Sequence, residues 1–259
     1  MATAVDLSVS ADTDPYGRVA GLYDLLHIGP GSPELVRFFA DRAPSGGRAL
    51  EIGPGTGRMT LAVAEHVDRL YCLERSASMR AVLYTKLAAR PELRDRVTVL
   101  DAASPDVPFD RPFDYVYLAA VLEHVPHDAR RDFFGALAGQ LAPGGVLATD
   151  MVHDEPVPDQ PEREVREAWQ GDCRYTLSSA ASPLGPGLAL VRHVYRTWYR
   201  GEVVATDTVQ RRHFLHHPDD VLADLAAVGL SPVDGSAVTG PDSPLADKGT
   251  LVARRTDAG

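Results

Sequence analysis

The stretch Ala49-Leu50-Glu51-Ile52-Gly53-Pro54-Gly55-Thr56-Gly57-Arg58 constrains this chain more than any other. A short apolar run ending in an acid predicts a buried strand, the glycines predict a tight turn, and a helix follows. The glycines are spaced G-x-G-x-G. A dinucleotide fingerprint needs G-x-G-x-x-G, and Arg58 stands where its third glycine belongs. Glu51 adds a second objection. A carboxylate at the strand's end repels a diphosphate, which a bare helix N-terminus would otherwise hold. It suits a ligand carrying an ammonium or sulfonium group.

The remaining pattern predicts an α/β domain. Strands are expected at Arg48–Ile52, Leu70–Glu74, Val97–Asp101, Phe113–Ala119 and Val146–Met151, with amphipathic helices between them. Short apolar strands alternating with helices signal a parallel sheet covered on both faces. Two helices precede the sheet, over Tyr16–Leu26 and from an N-cap at Ser32. After His153 prolines, acids and small residues dominate, with a short helix expected over Glu162–Trp169. Leu190–Tyr199 and Val203–Phe214 then read as two extended segments joined by a type II′ turn at Gly201-Glu202. Pro218 opens a last helix closed by Gly229, and loose final strands fall in Ser231–Thr239 and Thr250–Arg254. The expected divisions are 1–44 (tail and cap helices), 45–152 (core), 153–213 (insertion) and 214–259 (completion of the core sheet).

Strand ends matter because ligands of open α/β sheets bind outside the strands' carboxyl ends. Strand one delivers Glu51 with Gly53, Gly55 and Gly57, strand two Glu74 and Arg75, and strand three Asp101, Ala102 and Ala103. A carboxylate at Glu74 can accept both hydroxyls of a ribose, or it can simply favour the following helix dipole.

These residues resemble motif I and the neighbouring strand ends of the class I S-adenosylmethionine (SAM)-dependent methyltransferases, small-molecule type. The segment Ala119-Ala120-Val121-Leu122-Glu123-His124 resembles the family's L-E-H segment after strand four. The resemblance covers roughly 45–152 and 214–255. It implies a Rossmann-like seven-stranded, mostly parallel sheet with helices on both faces, and an inserted extended hairpin as acceptor-side lid. It implies SAM as cofactor, with Glu51 toward the methionine amino group and Glu74 on the ribose. It also puts Asp101 on the adenine amino group, Ala102 as a backbone donor to the ring, and Ala119 beside the methyl. Arg58 is a candidate for the cofactor carboxylate, Met79 for covering the adenine, and Tyr16 for closing over the methionine end. For Arg58 the alternative is a solvated surface, and for Met79 it is core packing.

The expected function is methyl transfer to oxygen or nitrogen, with carbon also open, of a small-molecule acceptor. A second reading keeps fold and cofactor without transfer, as a cyclase or scaffold. An NAD-dependent oxidoreductase fails on Arg58 and Glu51. His124, His153 and His213 are the candidate bases, because imidazole titrates near neutrality. Arg196, Trp198 and Arg211 are candidate acceptor contacts, a solvated hairpin face being the alternative. His27 and His66 read as helix-end surface residues. His216-His217 lacks a companion carboxylate at ligand spacing, so no metal is expected.

Composition narrows the partners. A net charge of −10 disfavours nucleic acid and anionic membranes. No run of 18 apolar residues exists. Met1–Asp14 lacks the basic flank and apolar core of a signal peptide. With two cysteines, one in a buried strand, a cytoplasmic protein is expected. The oligomeric state is left open.

Overall fold

A computed structural model describes residues 14–27, 32–104, 109–150, 157–233 and 249–256. Helices α1 (Ala20–His27) and α2 (Ser32–Ala40) precede a core that runs β1 (Arg48–Ile52), α3 (Arg58–Val63), β2 (Arg69–Leu73), α4 (Ala77–Ala88), α5 (Pro91–Arg94), β3 (Val97–Leu100), β4 (Phe113–Leu118), α6 (Arg130–Gln140) and β5 (Leu141–Thr149). Four long strands follow, β6 (Gln160–Gln170), β7 (Cys173–Gly185), β8 (Leu188–Tyr199) and β9 (Glu202–Phe214). The chain then returns through α7 (Pro218–Ala227), β10 (Leu230–Pro232) and β11 (Leu251–Arg255).

The main sheet has the order β10-β11-β5-β4-β1-β2-β3. Strands β1 to β5 pair in parallel, and β11 runs antiparallel to β5, as expected. Alternation along the strands builds two cores. Leu50, Ile52, Val116 and Leu118 meet α6 and α7 residues Phe134, Leu137, Val221 and Leu225 on one face. Ala49, Leu70, Cys72, Tyr115 and Tyr117 meet Phe39, Met59, Val63 and Leu83 on the other. At about 25 cal/mol per Å² of apolar area removed from water, these layers are the main force holding the sheet. Because β1 and β4 are adjacent while the chain winds both ways from them, the switch point falls between their carboxyl ends.

The insertion departs from expectation. Glu162–Trp169 lies in strand β6 instead of a helix, and the hairpin is half of a four-stranded antiparallel sheet, β6-β7-β8-β9. The turn between β8 and β9 is formed by Arg200 and Gly201, with φ of 51° and 86°. Two positive φ values make it a type I′ turn, whose twist matches a hairpin. One face of this sheet packs on α1 through Leu177, Tyr195 and Val209 against Val19 and Leu26.

The junction of α6 and α7 is held by buried charge. Arg130 donates to Asp224 at 2.8 Å and to His216 Nδ1 at 2.9 Å, and His216 Nε2 then donates to the Leu122 carbonyl at 2.9 Å. Both ring nitrogens of His216 are thus engaged within the protein, and burial pushes its pKa down to about 4. An unfolded histidine takes up a proton near pH 6.5, so this group makes stability rise with pH between about 4 and 6.5. Arg130→Ala leaves Asp224 buried with only the exposed Arg131 to serve it, and should cost about 3 kcal/mol in urea unfolding. A loss under about 1 kcal/mol would show that the pair contributes only specificity.

Candidate functional site

The carboxyl ends of β1 to β4 open into a cavity of about 990 Å³, roofed by α1 and the inserted sheet. That is the upper end of the ~300–1,000 Å³ range for small-ligand sites, room for a cofactor and an acceptor together. Glu51, Gly53, Gly55, Arg58, Glu74, Arg75, Met79, Asp101, Ala102, Ala103, Ala119, Tyr16, His124 and Arg211 all line it. Gly57 stands just behind, where it lets the turn enter α3.

The glycine turn shows why side chains are excluded. Gly53, Gly55 and Gly57 have φ of 66°, 57° and 85°, left-handed conformations that favour glycine. A Cβ on Gly53 would lie 2.7 Å from Val121, and one on Gly57 would lie 2.3 Å from Leu83. A Cβ on Gly55 would meet nothing within 4 Å, so here bare backbone faces open cavity.

The acids of the rim differ in character. Glu51 is 1% exposed and accepts from Thr60 Oγ1 at 2.6 Å and from Cys72 Sγ at 3.7 Å. Burial pushes its pKa up to about 7, against the pull of the Thr60 hydrogen bond. Glu74 is fixed by the backbone N–H groups of Gly55 at 2.9 Å and Ser76 at 2.8 Å. Asp101 is held by both terminal nitrogens of Arg80 at 2.7 Å, and Arg80 also donates to the Glu74 carbonyl. Arg80 therefore pins the ends of β2 and β3 together.

Other residues that the sequence pattern did not single out complete the site. Asp14 accepts from Ser76 Oγ and from the backbone and hydroxyl of Ser78, which ties the N-terminal segment across the start of α4. Burial works to raise the Asp14 pKa, but these hydrogen bonds and that from Tyr16 N outweigh it and hold the carboxyl low. Thr56 donates to Asp24 at 2.6 Å, which fastens α1 to the turn. Asp150, at the end of β5, accepts from Ala120 N at 2.8 Å and supports Ala120 at φ 54°. The strand-end rule that identified Glu74 would have identified Asp150 too.

The histidines sort clearly. His124 and His213 meet edge to face with centroids 5.2 Å apart, and burial pushes them down to about 4 and about 3. His153 lies outside the described residues. His27 is not a surface residue: it stacks on Tyr23 at 4.2 Å, sits 2.6 Å from the Tyr195 hydroxyl, and is pushed by burial to about 4. Arg196 and Trp198 lie on the outer face of the inserted sheet, away from the cavity. Arg196 pairs with Glu162 at 2.6 Å, and the Trp198 indole donates to Thr176 beneath Arg174. Arg211, on the inner face, is the one of the three that reaches the site. Arg58 donates to the His27 carbonyl at 3.4 Å. Among the described residues no group of three His, Cys, Asp or Glu side chains is placed to hold a metal ion.

Comparison with known proteins agrees with this architecture. Residues 50–149 match the family of the "Methyltransferase domain". An uncharacterized methyltransferase of Staphylococcus carnosus is 31% identical over 102 residues, which cover 39% of this chain and 45% of that protein. The chain thus spans half or less of the length of the curated relatives it matches. Among solved structures, the sugar N-methyltransferase KedS8 of a Streptoalloteichus species is 23% identical, with 99% of this chain and 100% of that one covered at a TM-score of 0.73. The SAM-bound amino pentose methyltransferase CalS10 of Micromonospora echinaspora is 20% identical, with 86% and 88% covered at a TM-score of 0.65. Residues 50–149 thus match a methyltransferase-domain model, and the chain shares the fold of these solved methyltransferases.

Gly57 and Gly55 separate steric from conformational demands. Gly57→Ala meets both a positive φ and the Leu83 side chain, and should lower unfolding free energy by about 3 kcal/mol or more. Gly55→Ala meets only the backbone preference and should cost about 1–2 kcal/mol in the same urea titration. Equal losses would contradict the assignment of Gly55 to open space.

Proposed function

We propose that this protein is a SAM-dependent methyltransferase that binds SAM across the rim of β1 to β3 and transfers its methyl group in line to a nitrogen or oxygen atom of a small acceptor held beneath the inserted sheet. The observation that carries this reading is the joint placement of Glu51, the bare Gly55 backbone, Glu74 and Asp101 around one cavity. In this reading Glu74, already oriented by two backbone donors, receives the ribose hydroxyls. Glu51 supplies negative charge beneath the methionine end, Met79 covers the adenine face, and Tyr16 closes the other side. Ala119 leaves space for the methyl.

SAM supplies the electrophile, so the protein's share is alignment and exclusion of water. His124 faces the acceptor side as a neutral imidazole, because burial keeps it unprotonated at neutral pH. A neutral ring accepts a hydrogen bond from an N–H or O–H nucleophile and aims its lone pair at the methyl. Its depressed pKa makes it a weak proton store, which favours an amine acceptor arriving uncharged over an alcohol that needs a strong base. The sugar N-methyltransferase likeness supports a nitrogen acceptor on an amino sugar. A small acceptor also fits the net charge of −10 better than nucleic acid does. A cytoplasmic site is supported by the free thiols Cys72 and Cys173. No helix among the described residues is long and apolar enough to cross a membrane.

The test couples binding to protons. Glu51 is partly protonated near pH 7 in the free protein, and a bound ammonium or sulfonium favours its ionised form. SAM binding should therefore release part of a proton, measured by calorimetry in buffers of different ionisation enthalpy. SAM affinity should weaken as pH falls from about 8 to about 6, roughly tenfold per unit at most. Glu51→Gln should abolish the release. Incubation with SAM and amino sugars should then yield S-adenosylhomocysteine and an acceptor carrying one added methyl. Absence of SAM binding would refute the reading, and binding without any turnover of an acceptor panel would favour a SAM-binding scaffold.

A further inference from the structure

Arg211 lines the cavity and forms no ion pair among the described residues. Arg211 lies on the inner face of β9, and its Nε and Nη2 atoms are buried without a hydrogen-bond partner among the described residues. Its guanidinium sits 4.0 Å over the ring of Tyr16. Three other arginines of the inserted sheet are paired with acids. Arg192 and Arg196 share Glu162, and Arg174 reaches Glu164 and Glu167. Asp207 lies on Arg211's own strand and face, yet it pairs with Arg18 at 2.5 Å. The Arg211 charge reaches His124, His193 and His213, where it acts with burial to keep the rings neutral, and it also reaches Tyr16.

A guanidinium with two buried nitrogens, stacked on one ring, is poorly compensated. The cation–π contact returns only part of the lost hydration, and buried donors without partners are rare in folded proteins. The planar fork presents parallel N–H groups matched to a carboxylate or a phosphate. We propose that Arg211 is the anion receiver of the cavity, taking a carboxylate or phosphate oxygen pair from a ligand lodged between the inserted sheet and the glycine rim. This rests on the reading of the cavity as a SAM-dependent transfer site, and it adds that one of the two ligands presents an anionic group to the lid. The group is either the acceptor's own or the methionine carboxylate of the cofactor.

Titration separates the two sources. Wild type, Arg211→Lys and Arg211→Gln are titrated with S-adenosylhomocysteine, and then, with and without it bound, with acetate, inorganic phosphate and acetamide as uncharged control, followed by NMR. If the anion belongs to the acceptor, acetate or phosphate binds the loaded wild type and acetamide does not. Arg211→Gln then weakens anion binding about ten- to a hundredfold and leaves S-adenosylhomocysteine affinity unchanged, with Arg211→Lys between. If the anion is the cofactor's, Arg211→Gln weakens S-adenosylhomocysteine by that factor, and acetate binds only the unloaded protein. Folded Arg211→Gln that binds all probes like wild type would overturn the proposal. Should that variant not fold, equal binding of acetate and acetamide by wild type would overturn it equally. Failure of wild type to bind S-adenosylhomocysteine would instead count against the transfer reading itself.

Discussion

The buried carboxylate of Glu51, with no cation paired to it among the described residues, governs this site. Its neighbours are the Thr60 and Tyr117 hydroxyls and the Cys72 thiol, none of which balances a full charge. Its burial makes the floor of the cavity a place where positive charge is welcome and water is scarce. The glycine turn above it brings backbone, not side chains, to the cavity wall. Glu74 and Asp101 extend the acidic rim, and each is held in place before any ligand arrives, Glu74 by two backbone amides and Asp101 by Arg80. Such fixed groups lose little on binding, which is how a scaffold of strands gives an oriented site.

The opposite wall is built differently. From the inserted sheet Arg211 reaches the cavity over the ring of Tyr16, and the neutral imidazoles of His27 and His124 line the cavity too. The roof is fastened by short-range polar contacts: Asp14 onto the start of α4, Thr56 onto Asp24, and α1 onto the inner face of the inserted sheet. Among the described residues these contacts come from the N-terminal segment and α1.

The core was legible because its signals are local. Apolar runs ending in Glu51, Glu74 and Asp101 mark strands, whereas the seven-stranded arrangement with an antiparallel last strand was legible only through the family resemblance. The insertion was harder to read for a physical reason. Strand β6 alternates acids and arginines whose partners lie across the sheet, as Glu162 does with Arg192 and Arg196, so no apolar period marks it as a strand. The same cross-strand pairing turned Arg196 and Trp198 outward. His27 read as a surface residue because its partner Tyr195 lies 168 residues away. Arg200 occupies a left-handed position that its side chain disfavours, so the turn looked like Gly201-Glu202 from composition alone.

The account depends on the acidic floor and rim holding the cationic end and the ribose of the cofactor. A crystal structure of the protein with S-adenosylhomocysteine tests this most directly. It should show the ribose hydroxyls on Glu74, the amino group over Glu51 and the ligand chain lying on Gly55. A ligand bound elsewhere, or one in this cavity that leaves both carboxylates untouched, would contradict it.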